Sequence, residues 1–478
     1  MFQTLLRSAR ESGRSSASTS NLTEQSASSH SNSIALTDGQ GSLTAPTRPS
    51  LLVSCESDQY VVYKVRWVML CIFVVFSMSN AFQWIQYSII THIISDYYDV
   101  PSTTVDWLSM LFMITYIPLI FPATWFLQVY GLRKSIMIGS FGNMVGAAIK
   151  CFCVKPNRFW VTFTGQLIAA SSQVFVLGIP APLAAVWFGP DQVSTACALG
   201  VFGNQLGIAI GFLVPPAIVH TSTVESGLRT MFYSVAAICA TIFVCIVLIF
   251  KEKPKTPPSA SVAMENETEQ GSYIQSIIRL LKNKHYLLLL ISYGMNAAAF
   301  YAISTLLSQI FLIHFPGEEE NAGRIGLVLV LSGMCGSIVC GVILDKTGKF
   351  KMVTLSVYIM SLVFMIAYTF IFQLNKMWLV YVVSSLLGAF MTGYLPVGFE
   401  FAAELTYPES EGTSSGLLNA SAQVFGILCT IAAGHLLKDY GDQPANLLLV
   451  AVLLVGTILT AFIREDLRRQ EARSEHPH

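Results

Sequence analysis

Charge is what this chain has little of. Of its 478 residues only 12% are Asp, Glu, Lys or Arg, against about 25% in an ordinary soluble domain. Acidic and basic residues balance at 28 each, so no basic field exists to draw nucleic acid as a partner. Clustered metal-ligating residues are also lacking. The ten cysteines are scattered. Most of them (Cys71, Cys239, Cys335, Cys340) lie in apolar runs, where a thiol behaves as a small hydrophobe. Cys151-Phe-Cys153 has no matching His or Cys group, so neither a metal nor a cofactor is expected. No secretory signal opens the sequence. Residues 1–60 are Ser/Thr-rich and polar, which reads as disorder.

What is abundant is apolar surface: 53% hydrophobic residues and a mean hydropathy of +0.58. A crossing helix needs about 20 apolar residues. Twelve such stretches are predicted, near 66–94, 103–128, 131–152, 157–187, 192–218, 230–250, 285–314, 323–345, 351–373, 377–405, 412–436 and 444–463. The expected fold class is therefore an all-α membrane protein with the lipid bilayer as its surroundings. The expected divisions are an N-tail (1–63), an N-terminal six-helix half (64–250), a polar linker (251–284), a C-terminal six-helix half (285–465) and a C-tail (466–478). The linker ends in a short amphipathic piece, Tyr273–Lys284, expected to lie on the membrane surface. Lys and Arg concentrate in segments that share a side with the termini, among them Arg133, Lys134, Lys251, Lys253, Lys349 and Lys351. Fewer fall on the opposite side, where Lys150, Lys155, Arg158 and Arg324 are placed. That bias predicts cytoplasmic termini.

The two halves read as repeats. Trp84 and Tyr301 are separated by 301 − 84 = 217 residues, Gly131 and Gly348 by 348 − 131 = 217, and Gln128 and Asp345 by 345 − 128 = 217. Pro180 and Pro396, expected to break the fourth and tenth helices, are 216 apart, and Gln205 and Gln423 are 218 apart. A coherent series in the same order predicts two parallel six-helix halves, the major facilitator fold, with a substrate site between them and rocking motions for alternating access.

Within the first apolar run lies Asn80-Ala-Phe-Gln-Trp-Ile-Gln-Tyr87. Amides at this depth are costly unless they meet partners or water. Trp is common at membrane interfaces, but a helix begun near Arg66 has risen about 27 Å by Trp84, well into the span. Tyr301 is its counterpart in the seventh helix. Facing aromatics suit a cation, and a quaternary ammonium, with no N–H to donate, most of all. Asn80, Gln83, Gln86 and Gln205 are expected to line a cavity or gate, while Gln173 and Gln423, amides of the fourth and eleventh helices, can bond either a neighbouring helix or a substrate hydroxyl. Glu400 and Glu404, near the termini-side end of the tenth helix, are expected to act at a gate. Asp106 is expected to cap the second helix. The spans hold no acid–base pair at mid-depth and no nucleophile–base set, which favours facilitated diffusion over proton coupling and excludes an enzyme.

Several longer segments resemble the feline leukaemia virus subgroup C receptor-related family, solute carrier family 49. They are the segment from Asn80 to Tyr87, Asp106-Trp-Leu-Ser-Met, Pro118-Leu-Ile-Phe-Pro-Ala-Thr-Trp125, Gly203-Asn-Gln-Leu-Gly207, Met391-Thr-Gly-Tyr-Leu-Pro and Tyr407-Pro-Glu-Ser-Glu-Gly-Thr-Ser-Ser-Gly. The resemblance spans about residues 64–470. It implies a plasma-membrane transporter of choline, and in some members of ethanolamine, with a pocket made here by Trp84, Tyr301, Gln173 and Gln423. Haem export is the alternative it carries. Against that alternative, His92, His220, His314 and His435 stand singly and offer no paired axial ligands. Gln128 departs from the acid that major facilitators carry after the second helix.

Overall fold

The structure is a computed structural model, and it describes residues 63–188, 192–254, 273–407, 409 and 411–464. The expected N-tail, the centre of the linker and the C-tail lie outside the described residues. Among the described residues all regular structure is helical. In chain order the helices are α1 (Val65–Ile85), α2 (Thr91–Tyr98), α3 (Ser102–Lys150), α4 (Phe159–Leu177), α5 (Pro180–Trp187), α6 (Val193–Ile218) and α7 (Val224–Ile249). They continue with α8 (Tyr273–Lys282), α9 (Lys284–His314), α10 (Glu319–Thr347), α11 (Phe350–Ile371), α12 (Met377–Thr406), α13 (Glu411–Tyr440) and α14 (Asp442–Phe462).

Among the described residues eleven helical stretches are long and apolar enough to cross a bilayer. One of them, α3, has 49 residues, about 74 Å of helix, more than twice the roughly 30 Å of a hydrocarbon core. Gly131 divides it with φ 83° and ψ −179°, a conformation essentially reserved for glycine. Two crossings therefore come from α3, and the described residues hold the expected twelve. The start of the second arm is capped from a distance. The carboxylate of Glu252, just beyond α7, accepts from the backbone N–H of Leu132 (2.7 Å) and Arg133 (2.8 Å). This satisfies two of the donors that a helix start leaves free. Gly348, its partner in the repeat, also has positive φ, at 62°.

Two breaks depart from the sequence reading. The first crossing is not one helix: α1 stops at Ile85, a short 3-10 turn covers Ser88–Ile90, and α2 resumes at Thr91. This interruption, the elbow of the first crossing, begins two residues after Trp84, at Gln86. In the repeat pair of prolines, Pro180 does start a new helix after a break at Gly178–Ile179, whereas Pro396 lies inside a continuous α12. Pro396 therefore does not break the tenth crossing as expected.

Small residues bring neighbouring crossings close. A Cβ on Gly146 of α3 would lie 2.6 Å from the Gly165 carbonyl of α4, and one on Gly388 of α12 would lie 2.1 Å from the Leu329 carbonyl of α10. At the end of the bundle that holds the chain's first and last helix ends, Lys251 N–H meets Met69 Sδ and Arg464 N–H meets His285 Nδ1. We call this the terminal end and the opposite side the far end. α8 is docked at the terminal end by Glu409, which accepts from Ser276 and Arg279. The Arg279 guanidinium holds the Glu409 carboxyl below its ordinary range.

Gly131→Ala should destabilise the protein. The backbone strain alone costs about 1–3 kcal/mol, and the new methyl would meet the Glu252 carboxylate at 2.1 Å. The expected result is a lower midpoint in a thermal-unfolding measurement on purified protein, with Gly131→Ala and Glu252→Ala less than additive.

Candidate transport site

α1 delivers Trp84 to the boundary between the halves, and α9 delivers Tyr301 from the other side. Their ring centroids are 5.6 Å apart at 77°, edge to face. Trp84 is 5% exposed, so it is no interfacial anchor. α13 adds the third member: the Gln423 amide donates to the Tyr301 hydroxyl across a long 3.4 Å contact. Gly426, nearly one turn further along α13, leaves room for this arrangement. A Cβ there would lie 2.9 Å from the Tyr301 ring and 3.1 Å from Met113 Sδ of α3.

Above the aromatic pair, toward the far end, the halves are zipped. On α9, Tyr301, Thr305 and Gln309 are four residues apart and share one face. On α3, Asp106, Ser109 and Met113 form the opposing stripe. Gln309 donates to Asp106 Oδ1 at 2.7 Å, and the Ser109 and Thr305 hydroxyls are 3.0 Å apart. Asp106 is thus not the expected cap, since Pro101 occupies that position with no side-chain bond. It is a buried carboxylate joining the two halves. Beside this stripe His92 Nε2 meets Glu319 Oε1 at 3.1 Å, and Phe212 of α6 packs over Gly323 and Gly326 of α10. The aromatic pair therefore forms the floor of a seal across the far end.

The other expected site residues divide. Asn80 and Gln83 do not line the cleft; both are drawn into the N-terminal half. The Asn80 amide donates to Asn143 Oδ1 (3.0 Å) and the Ala169 carbonyl (3.1 Å), and the Gln83 amide donates to Asn143 Oδ1 (2.9 Å). Gln83 Oε1 in turn accepts from Lys150. Gln173 lies on α4 seven residues from Gln166 and four from Ala169, the two positions that touch α1, so it shares their face. Seven residues of helix are about 10 Å, so Gln173 stands below Trp84 toward the terminal end. Its amide oxygen is buried without a protein partner, as are that of Gln205 and both amide atoms of Gln86. Glu400 is exposed on α12, while Glu404 is buried one turn further on. Lys150, assigned from sequence to an outer loop, is buried inside the bundle. The site neighbours that sequence reading missed are Met113, Gly426, Thr305 and Gln309. The last two were open to discovery as the four-residue continuation of Tyr301.

A sequence profile of the Major Facilitator Superfamily matches residues 68–383 and 355–477. The zebrafish (Danio rerio) choline/ethanolamine transporter flvcr2a is 55% identical over 420 residues, 87% of this chain and 89% of its own. The chain is a major facilitator of the FLVCR family. The human choline/ethanolamine transporter FLVCR2 is 50% identical over 87% of this chain and 80% of its own length, and the cat FLVCR1 is 51% identical over 84% and 73%. Among solved structures, a bacterial homologue of the lysosomal transporter Spinster superposes with a TM-score of 0.63 at 14% identity, over 84% of this chain and 97% of that one. The E. coli fucose:proton symporter superposes at 0.59 and 16%, over 84% and 100%. These two establish the fold alone. In this FLVCR-family chain, as in any major facilitator, the cleft between halves is where a transported molecule must pass.

Gly426→Val tests the packing around Tyr301. Two methyls more than a Cβ would force the ring or Met113 aside, a cost of about 1–3 kcal/mol for an overpacked position. Thermal unfolding should show the loss, and Gly426→Val combined with Met113→Ala should recover part of it.

Proposed function

We propose that this protein carries choline, and ethanolamine as a second substrate, across the plasma membrane by alternating access. Trp84 and Tyr301 form the two aromatic walls for the ammonium, and Gln423 and Gln173 are the polar groups for the hydroxyl end. The observation that supports this most is the meeting of Trp84, Tyr301 and Gln423, one from each of three helices and from both halves. An aromatic face attracts a cation by about 0.5–2 kcal/mol, more when water is excluded. In the edge-to-face arrangement one ring covers a face of the other. A cation that uses both faces must part them, and parting them unzips the floor of the far-end seal. Loading and opening are then the same event.

The relatives named choline/ethanolamine transporters favour this reading over haem export. The histidines point the same way: His92 is engaged by Glu319 and His314 by Asp442, which leaves neither free as an axial ligand. The further reading places both termini in the cytoplasm, the far end outside, and the N- and C-terminal halves at residues 64–250 and 285–465. Glu400 and Glu404 then stand at the cytoplasmic mouth. With no ion coupling, a potential of roughly 60 mV supplies about 1.4 kcal/mol to a monovalent cation, close to a tenfold accumulation.

Radiolabelled choline uptake in cells tests this, with surface expression measured in parallel. Trp84→Ala and Tyr301→Ala should each raise KM by roughly ten- to thirtyfold, the equivalent of about 1.4–2 kcal/mol for one desolvated ring. Tyr301→Phe keeps the ring and loses only the Gln423 contact, so its KM should rise no more than about fivefold, corresponding to one neutral hydrogen bond. Normal uptake by both alanine variants contradicts the assignment.

A further inference from the structure

The most unusual buried group lies behind the aromatic pair. Lys150, the last residue of α3, is 1% exposed. Its ammonium donates to Gln83 Oε1 at 2.8 Å and Gln166 Oε1 at 2.5 Å and lies 5.7 Å from the centre of the Tyr87 ring. Among the described residues no carboxylate pairs with it. A buried ammonium costs several kcal/mol to desolvate, and apolar packing serves helix contacts better. An ionisable residue kept at membrane depth therefore points to function.

The surroundings show how the charge is tolerated and what it holds. The carbonyl ends of helices carry partial negative charge, and two of them converge here. Lys150 ends α3, and Gln83 sits two residues before the end of α1. α1 stops at Ile85, so its last carbonyls lack their usual helical partners. The Gln166 amide fills one such vacancy by donating to the Gln83 carbonyl at 2.7 Å, and also reaches the Leu108 carbonyl at 3.2 Å. A Cβ on Gly165 would lie 2.8 Å from Lys150 Cγ, so that glycine leaves the path by which the lysine stem crosses α4. Lys150 and Gln166 together clamp the last turn of α1, and the residue after Gln83 is Trp84.

The geometry points to Lys150 as a positioning residue for transport: it fixes the elbow of the first crossing and so the aim of Trp84 into the cleft. It touches no substrate and acts through Gln83. The inference deepens the choline reading and rests on it for its kinetic test.

Lys150→Met keeps the stem and removes the charge and the donors. At matched surface expression the choline KM should rise about tenfold with Vmax within twofold of wild type, and Lys150→Arg should fall between. Gln166→Leu should raise KM about threefold. In a Trp84→Ala background Lys150→Met should change KM no further, because its effect runs through that ring. An unchanged KM in Lys150→Met, a loss of Vmax alone, or a full additional KM increase in the Trp84→Ala background overturns the proposal. If Lys150→Met does not reach the surface, the same KM criteria apply to Lys150→Arg and Gln166→Leu. Failure of the wild type to take up choline strikes the substrate reading instead. The clamp is then read without substrate, by cryo-electron microscopy of Lys150→Met: Trp84 displaced from Tyr301 supports it, and an unchanged contact overturns it.

Discussion

Trp84 faces Tyr301 because two of the polar side chains beside it, Asn80 and Gln83, are held inside their own half. An amide in hydrocarbon without a partner costs a few kcal/mol, and the end of α1 carries three amides within seven residues, Asn80, Gln83 and Gln86. The Asn80 and Gln83 amides are tied to Asn143, Ala169 and Lys150 inside the N-terminal half, and Gln166 holds the Gln83 backbone carbonyl. Those bonds end the helix, set the elbow and leave the indole pointing at the other half. The pairing of rings, the seal above it and the route below it all depend on that one anchored turn.

The seal shows how a carrier can link occupancy to conformation. Its contacts are mixed: a carboxylate with an amide, two hydroxyls, an imidazole with a carboxylate, and an aromatic edge on an aromatic face. Each is individually modest: about 0.5–1.5 kcal/mol for the hydroxyl pair and about 1.5–3 kcal/mol for a bond to a carboxylate, and about 0.5–1.5 kcal/mol for an aromatic pair. A seal of this kind can break within a transport cycle, whereas an all-apolar interface of the same extent would not readily reopen. The ligand need only favour the parted rings to shift the balance, since an equilibrium moves by the difference in affinity for its two states.

Much of this architecture was legible in the sequence. Hydropathy gives twelve crossings, and the constant offset near 217 gives the repeat and pairs Trp84 with Tyr301. The glycines at 131 and 348 turn out to share positive φ as well as position. What was illegible has a common cause. Residues 66–94 hold no Pro or Gly, so no helix breaker announces the elbow; bonds from α3 and α4 make it. Lys150 was assigned to an outer loop because the positive-inside rule counts position along the chain and not burial. Asp106 looked like a cap because it stands near a helix start, yet the helix begins at Ser102 and the carboxylate is a full turn inside. Asn80 and Gln83 were expected in the cavity wall; three-dimensional partners draw them away. Pro396 was expected to break its helix, and α12 runs on past it.

The central claim is that the cation is held between Trp84 and Tyr301 and parts them on loading. A cryo-electron microscopy structure of the protein with choline tests it most directly. The ammonium should lie within about 6 Å of both ring centroids, with the rings moved out of their edge-to-face contact and the Asp106–Gln309 and Ser109–Thr305 contacts loosened. Choline seated elsewhere, with the two rings still at 5.6 Å, would contradict it.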